Sequence, residues 1–275
     1  MATRTLPQLE MHVTHACNLA CESCAHYSNQ GHVGILDPGQ AEEWLAAWSG
    51  RIAPAVFSLV GGEPSLNPRL GDFVPLVRRH WPDTLIRIVS NGWFLHRHPS
   101  LPRILREDGR AILYLSVPHG SPEYLERIRP FVELAEAWER EEGIRVGRYA
   151  SHGRWTRRYR GFGADLEPYA DGRPRQSWEH CVARDYPQLH AGRLWKCPAI
   201  AYLGMQEARF GLSEAWRPYL AYRGLDAACD DAALERFIAA EEEPVCGMCP
   251  AQPEPFVPPM PIRIVRRRDS DLMVG

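Results

Sequence analysis

The residues best equipped for chemistry in this chain are its cysteines. Cys17, Cys21 and Cys24 fall within eight residues, and the next cysteines are Cys181, Cys197, Cys229, Cys246 and Cys249. The N-terminus lacks the apolar core of a secretion signal, so closely spaced thiols read as metal or iron–sulfur ligands rather than disulfide partners. A structural zinc site takes four ligands, usually as two close pairs, and a cubane cluster has four irons to hold. The triplet Cys17-Asn-Leu-Ala-Cys21-Glu-Ser-Cys24 leaves one iron open unless a distant ligand joins it, and an open iron is a place for chemistry. Cys181, Cys197, Cys246 and Cys249 supply a full set of four, separated by 15, 48 and 2 residues. Such a set closes either a zinc site or a 4Fe-4S cluster, since both take thiolates and spacing does not separate them. Cys229 is then the odd thiol; it reads as a buried small hydrophobe or as a replacement for one of the four.

Elements of the first half must position the triplet. Short β-rich runs over 9–14, 56–60, 85–89, 111–117 and 144–150 alternate with helical patterns over 38–48, 68–80, 100–106 and 121–142, the last with a bend expected near Pro130. Asp37 followed by Pro38 is a helix start. Repeated βα units at this spacing imply a parallel sheet with helices outside, either doubly wound or barrel-like. In both architectures ligands bind beyond the carboxyl ends of the strands. The loops 17–24, 61–64, 90–92 and 116–120 all lie at such ends. Beyond residue 152 the pattern changes. Residues 153–176 are rich in arginine and glycine and read as loop, 189–196 as a small hairpin turning at Ala191-Gly192, and 213–222 and 230–240 as helices.

Composition excludes several classes. Hydrophobic residues at 45% and charged residues at 24% are those of a folded globular chain, not a disordered or collagen-like one. No run approaches the 18 apolar residues of a transmembrane helix, so no membrane association is expected, and the location expected is the cytoplasm. A net charge of −2 gives no electrostatic reason for nucleic-acid binding. Arg154, Arg157, Arg158 and Arg160, with Trp155 and Tyr159 among them, read equally as a phosphate or nucleotide handle and as a solvated loop. His12, His15, His26 and His32 crowd the cysteine triplet and read as packing or surface residues.

The cysteine triplet after the first strand, joined by Val60-Gly61-Gly62-Glu63-Pro64 at the end of the second, resembles the radical S-adenosylmethionine (SAM) enzymes. The resemblance implies a partial (β/α) barrel in which Cys17, Cys21 and Cys24 hold a 4Fe-4S cluster and SAM chelates its fourth iron. It implies that Gly61, Gly62 and Glu63 help bind the SAM amino group, with Ser90, Asn91 and Ser116 as further cofactor contacts. The family usually carries an aromatic residue before the third cysteine, where it packs on adenine. Ser23 stands there instead, so adenine contacts are expected from Tyr27 or the strand 144–150.

Cys181, Cys197, Cys246 and Cys249, with a hairpin between the first two, resemble a twitch domain, the half-size form of the SPASM domain. That similarity implies a small C-terminal Fe–S domain holding an auxiliary 4Fe-4S cluster. The division implied is 1–152 barrel, 153–177 connecting loop, 178–252 auxiliary cluster domain and 253–275 extended tail, in which Arg266, Arg267 and Arg268 are solvated. Among such enzymes the likeness is to aminocyclitol and sugar dehydrogenases and epimerases, which implies a small-molecule substrate, phosphorylated or nucleotide-linked if the arginines serve as a handle. Peptide-maturing relatives often carry a domain ahead of the triplet, and only 16 residues precede Cys17 here. Peptide or RNA modification is the alternative substrate class, and a non-enzymatic Fe–S or zinc protein the alternative function. The implied redox partner is a flavodoxin- or ferredoxin-type reductant. In an epimerase Cys229 would be the hydrogen-atom donor, the one catalytic side chain the resemblance suggests.

Overall fold

Near-continuous apolar strands separated by amphipathic helices can bury both faces only as a parallel sheet under a helical layer. The computed structural model has this architecture and describes residues 3–254 and 256–257, the Arg154 side chain apart. Arg266 to Arg268 and most of the expected tail lie outside the described residues. Strands β1 (Arg4–Thr14), β2 (Ile52–Gly61), β3 (Leu85–Ser90), β4 (Ala111–Ser116) and β5 (Arg145–Tyr149) pair in parallel, each with the next. Helices α1 (Pro38–Ser49), α2 (Phe73–His80), α3 (Leu101–Asp108) and α4 (Pro122–Glu142) connect them. This is a partial β/α barrel. Asp37 caps α1 by accepting from the Gly39 amide at 2.7 Å, and Ser121 caps α4 at Tyr124. Helix α4 continues through Pro130. The helix expected from 68 starts later, after a 3-10 turn at Leu70–Asp72 around Gly71, a residue that weakens helix.

Strand alternation sorts side chains between two faces. Leu9, Met11, Val13, Phe57, Leu59, Ile86, Ile88 and Leu113 are buried in one core with Leu45, Trp48, Phe73 and Leu105 of the helices. The opposite face carries Glu10, His12, Ser58, Arg87 and Tyr114. Gly147 on β5 leaves room there: a Cβ would stand 2.3 Å from the Tyr114 ring.

The C-terminal half adds β6 (Gln188–His190) and β7 (Arg193–Trp195), turning at Ala191 and Gly192, both at positive φ as a two-residue hairpin demands. This hairpin extends the same sheet, giving the order β5-β4-β3-β2-β1-β6-β7. Its contact with β1 is the parallel pairing of Gln188 with Glu10, and the Trp48 indole of α1 donates to Gly192 O at 2.9 Å. Leu189, Leu194 and Leu234 belong to the barrel's core. Residues 178–252 therefore share sheet and core with the barrel. A second core gathers Tyr27, Tyr159, Leu166, Trp216, Met248 and Cys249 with the helices α6 (Pro198–Ala201) and α7 (Leu203–Phe210). Helices α5 (Pro174–Glu179), α8 (Arg217–Leu220) and α9 (Asp231–Ala239) complete this half. The segment read as loop contains 3-10 turns at Ser151–Arg154 and Gly163–Asp165 and a bridge between Arg160 and Glu167.

Candidate cofactor and substrate site

The five parallel strands end around one cavity of about 230 Å³. Cys17, Cys21 and Cys24 line it after β1, Gly61 and Gly62 at the end of β2, Asn91 after β3, Ser116 on β4 and Ser151 after β5. The two glycines are dictated by backbone approach. A Cβ on Gly61 would lie 2.4 Å from Thr14 O, and one on Gly62 would lie 2.2 Å from Ala16 O. Without side chains, Gly62 N and Glu63 N donate to Thr14 O and Ala16 O at 3.0 and 2.8 Å, locking this loop to the root of the cysteine loop.

Glu63 and Ser90 are buried directly behind the residues that line this cavity. The Glu63 carboxylate is 1% exposed and accepts from Ser65 N, Ser65 Oγ, Ser90 Oγ and Asn91 N at 2.5–3.0 Å. With four donors satisfied inside the protein, it ties the end of β2 to the end of β3. Asn91 is thereby held at the cavity, its Nδ2 donating to Asn18 Oδ1 at 2.8 Å.

Burial raises all three thiols of the triplet above the ordinary cysteine range, and for Cys17 and Cys21 a neighbouring cysteine adds to the effect. The same cause acts on Cys197, Cys246 and Cys249, the last pushed up to about 12. Cys181 lies just past α5, Cys197 precedes α6, Cys246 lies within the 3-10 turn Pro244–Met248 that α5 packs against, and Cys249 follows it, where Ser177 Oγ donates to Cys249 O at 2.9 Å. At Cys197 the neighbouring thiols of Cys181, Cys249 and Cys246 add to the effect of burial. Among the described residues no group of three or more His, Cys, Asp or Glu side chains converges on a single metal ion. The triplet instead lines a cavity, which suits a polynuclear group with several metal atoms to distribute among its ligands. Cys229 joins neither set. Its Sγ accepts from Arg51 at 3.3 Å, it packs against the sheet core, and it does not line the site cavities.

A wider cavity of about 440 Å³ adjoins the first and shares Glu10, Cys24, His26, Ser116, Ser151 and Trp155 with it. Arg87, Tyr114 and Tyr149 of the barrel form one side, and Arg158, Val182 and Tyr186 form the other. Among the described residues Glu10 is its one lining carboxyl, 5% exposed and pushed up to about 7 by burial against the opposing effects of Gln188, Arg87 and Gln8. Gln188 donates to its Oε2 at 2.8 Å and Gln8 to its Oε1 at 3.1 Å. Of the arginine cluster, Arg158 faces this cavity. It is 7% exposed, Nη1 donates to Cys181 Sγ at 3.5 Å, and Nη2 has no partner among the described residues. Arg157 pairs with Glu22 and Arg160 with Glu254, as surface contacts. The histidines pack: His12 is hydrogen-bonded to His15 and His26 and stacked on Tyr202 with centroids 4.0 Å apart, and burial lowers all three below the usual histidine range. Tyr27, a candidate for adenine, is 1% exposed and stacked on Tyr159. Sequence reading missed Glu10 and Trp155 as cavity residues. The period of β1, which places Glu10 opposite Leu9 and Met11, was the available signal for the first.

Among solved structures, this chain resembles Streptococcus suis SuiB bound to S-adenosylmethionine, with 18% identity and a TM-score of 0.44 over 52% of this chain and 33% of SuiB. It resembles anSMEcpe with bound AdoMet and a Cp18Cys peptide at 18% identity and a TM-score of 0.40, over 52% of this chain and 42% of that one. The likeness to BtrN in complex with AdoMet and 2-DOIA covers 98% of this chain and 99% of BtrN, at 17% identity and a TM-score of 0.51. The chain thus spans a third of the length of SuiB and nearly all of BtrN, with which it shares the fold. No curated protein matches the chain. The Radical SAM superfamily profile matches residues 11–151, just over half of the sequence and the part that carries the barrel and its strand-end cavity. The protein therefore belongs to the radical SAM superfamily.

Proposed function

We propose that this enzyme uses a 4Fe-4S cluster at Cys17, Cys21 and Cys24 and SAM to remove hydrogen from a C–H bond of a small polyol or aminocyclitol. The observation that carries the reading is the continuity of two cavities. One is lined by the triplet, Gly61, Gly62, Asn91 and Ser116; the other is a space of about 440 Å³, within the roughly 300–1,000 Å³ of small-molecule sites. When bound, the cluster and SAM supply reductive cleavage to a 5′-deoxyadenosyl radical. The chain's own residues then have three tasks. Gly61 and Gly62 offer backbone where a cofactor amino group can approach, and Glu63 fixes Asn91. Glu10, Arg87 and Arg158 present hydrogen-bonding groups to a hydroxylated substrate, and the walls of Tyr114, Tyr149 and Val182 exclude water.

Cys181, Cys197, Cys246 and Cys249 hold an auxiliary 4Fe-4S cluster in this reading, with Arg158 between them and the substrate space. Oxidation of the substrate is favoured over epimerisation, because Cys229 is engaged with Arg51 outside both cavities. A flavodoxin- or ferredoxin-type protein supplies the electron for SAM cleavage.

Anaerobic reconstitution followed by iron and sulfide analysis tests the assignment. About eight of each per chain are expected, falling to about four in the Cys17→Ala, Cys21→Ala, Cys24→Ala triple variant. Zinc in place of iron at the triplet overturns the proposal. Iron at the triplet with zinc at the later four overturns only the auxiliary cluster.

A further inference from the structure

We infer that Trp155 provides the aromatic face for the adenine of SAM, and that Ser23 is the clasp that brings it there. The inference rests on the SAM-binding reading above and extends it to a segment beyond residue 151, where the superfamily match ends. A purine needs a π surface more than it needs hydrogen bonds, since stacking is where most of its contact area lies. The only ring besides His26 among the described residues lining the cysteine cavity is Trp155.

The position before the third cysteine is used for something else. Ser23 is 4% exposed, sits at φ 55°, lines the wider cavity but not the cysteine cavity, and bonds through its hydroxyl to the connecting segment. Its Oγ accepts from Arg158 N at 2.6 Å and from Tyr159 N at 3.4 Å. Three further contacts fasten the same two segments together. The Trp155 indole N–H donates to Glu22 O at 2.7 Å, Arg157 pairs with Glu22 at 3.1 Å, and the Tyr159 hydroxyl donates to Cys24 O at 3.2 Å. The N–H edge of Trp155 is thus bonded to the cysteine loop while the residue lines the cavity. A phenylalanine at 23 would have no oxygen to accept from Arg158 N, and the connecting segment would lose that hydrogen bond. The exchange of roles is reciprocal: a small hydroxyl in the cysteine loop holds an indole from 132 positions later in the chain. Trp155 also lines the wider cavity, so the same ring separates cofactor from substrate.

Equilibrium dialysis of SAM against anaerobically reconstituted protein tests this. Trp155→Phe, which keeps a ring, should bind within about threefold of wild type, whereas Trp155→Leu and Trp155→Ala should weaken SAM by about tenfold to a hundredfold. Ser23→Ala should weaken SAM when Trp155 is present and have no added effect in Trp155→Leu, because it acts through that ring. As a readout that needs no variant, photolysis of the wild-type protein with an 8-azidoadenine analogue of SAM should place the label on the peptide carrying Trp155. Wild-type binding left unchanged in Trp155→Leu, or label on another peptide, overturns the inference. Equal effects of Ser23→Ala in both backgrounds overturn the clasp. Failure of the reconstituted wild type to bind SAM is a separate outcome and overturns the proposed function itself.

Discussion

Glu63 is a motif residue whose carboxylate ties two strand ends together. Its carboxylate is saturated by Ser65, Ser90 and Asn91, so Glu63→Gln places an amide N–H against donors and should cost about 1–3 kcal/mol. Thermal melting of the apoprotein measures this, because the cost falls on the fold before any cofactor binds. Gly62→Ala should be at least as damaging, since its Cβ meets the Ala16 carbonyl at 2.2 Å and backbone has little freedom to yield. Glu10 makes a prediction in pH. Burial raises its carboxyl from 4.5 to about 7, so over that window the unfolded chain releases a proton that the folded chain keeps. Stability therefore falls as pH rises from 4.5 to 7, by roughly 3 kcal/mol at most, and levels off above. Glu10→Gln should flatten that slope, which melting curves at pH 5 and pH 7.5 would show; parallel shifts at both pH values would refute it. At this scale the sequence was legible where residue type alone is diagnostic, as for the cysteines and the glycine pair. It was not legible for orientation: nothing in Gly-Gly-Glu-Pro says that the carboxylate turns inward.

At the scale of elements, the barrel's strands and helices were readable because each has an unbroken period and a cap or breaker at its end. Asp37-Pro38 and Ser121-Pro122 are such signals, and both head helices where expected. The hairpin at 188–195 was readable too, from Ala191-Gly192. Its place on the β1 edge was not, since one residue pair, Gln188 with Glu10, joins them. Helix α7 escaped because its sequence, LGMQEARF, is short and carries only two buried side chains. The hairpin supplies a test of its own. Gln188→Ala removes a donor to Glu10 and the acceptor of the Tyr202 hydroxyl, so amide exchange in β6 and β7 should quicken while that in β3 and β4 stays unchanged.

Over the whole molecule, the C-terminal half completes the barrel rather than hanging from it. It contributes Leu189, Leu194 and Leu234 to the first core, and the cysteine loop contributes Tyr27 to the second. A chain cut after residue 152 should therefore be insoluble or aggregated, with β1 left as an open edge and apolar surface uncovered. Size-exclusion chromatography decides this, and a monomeric, folded 1–152 fragment would argue for an independent barrel domain. The shared sheet and core were not visible in the sequence, where composition shifts near residue 152.

Lys196, between the hairpin and Cys197, has a consequence for how the protein can be handled. It is the only lysine among the 32 basic residues, 8% exposed, and its Nζ donates to Ala240 O and faces Glu243 at 3.9 Å. The native fold thus offers amine-reactive reagents almost no side chain to modify. Any acylation of Lys196 would report, as a covalent mark readable by mass spectrometry, each opening of the segment that carries Cys246.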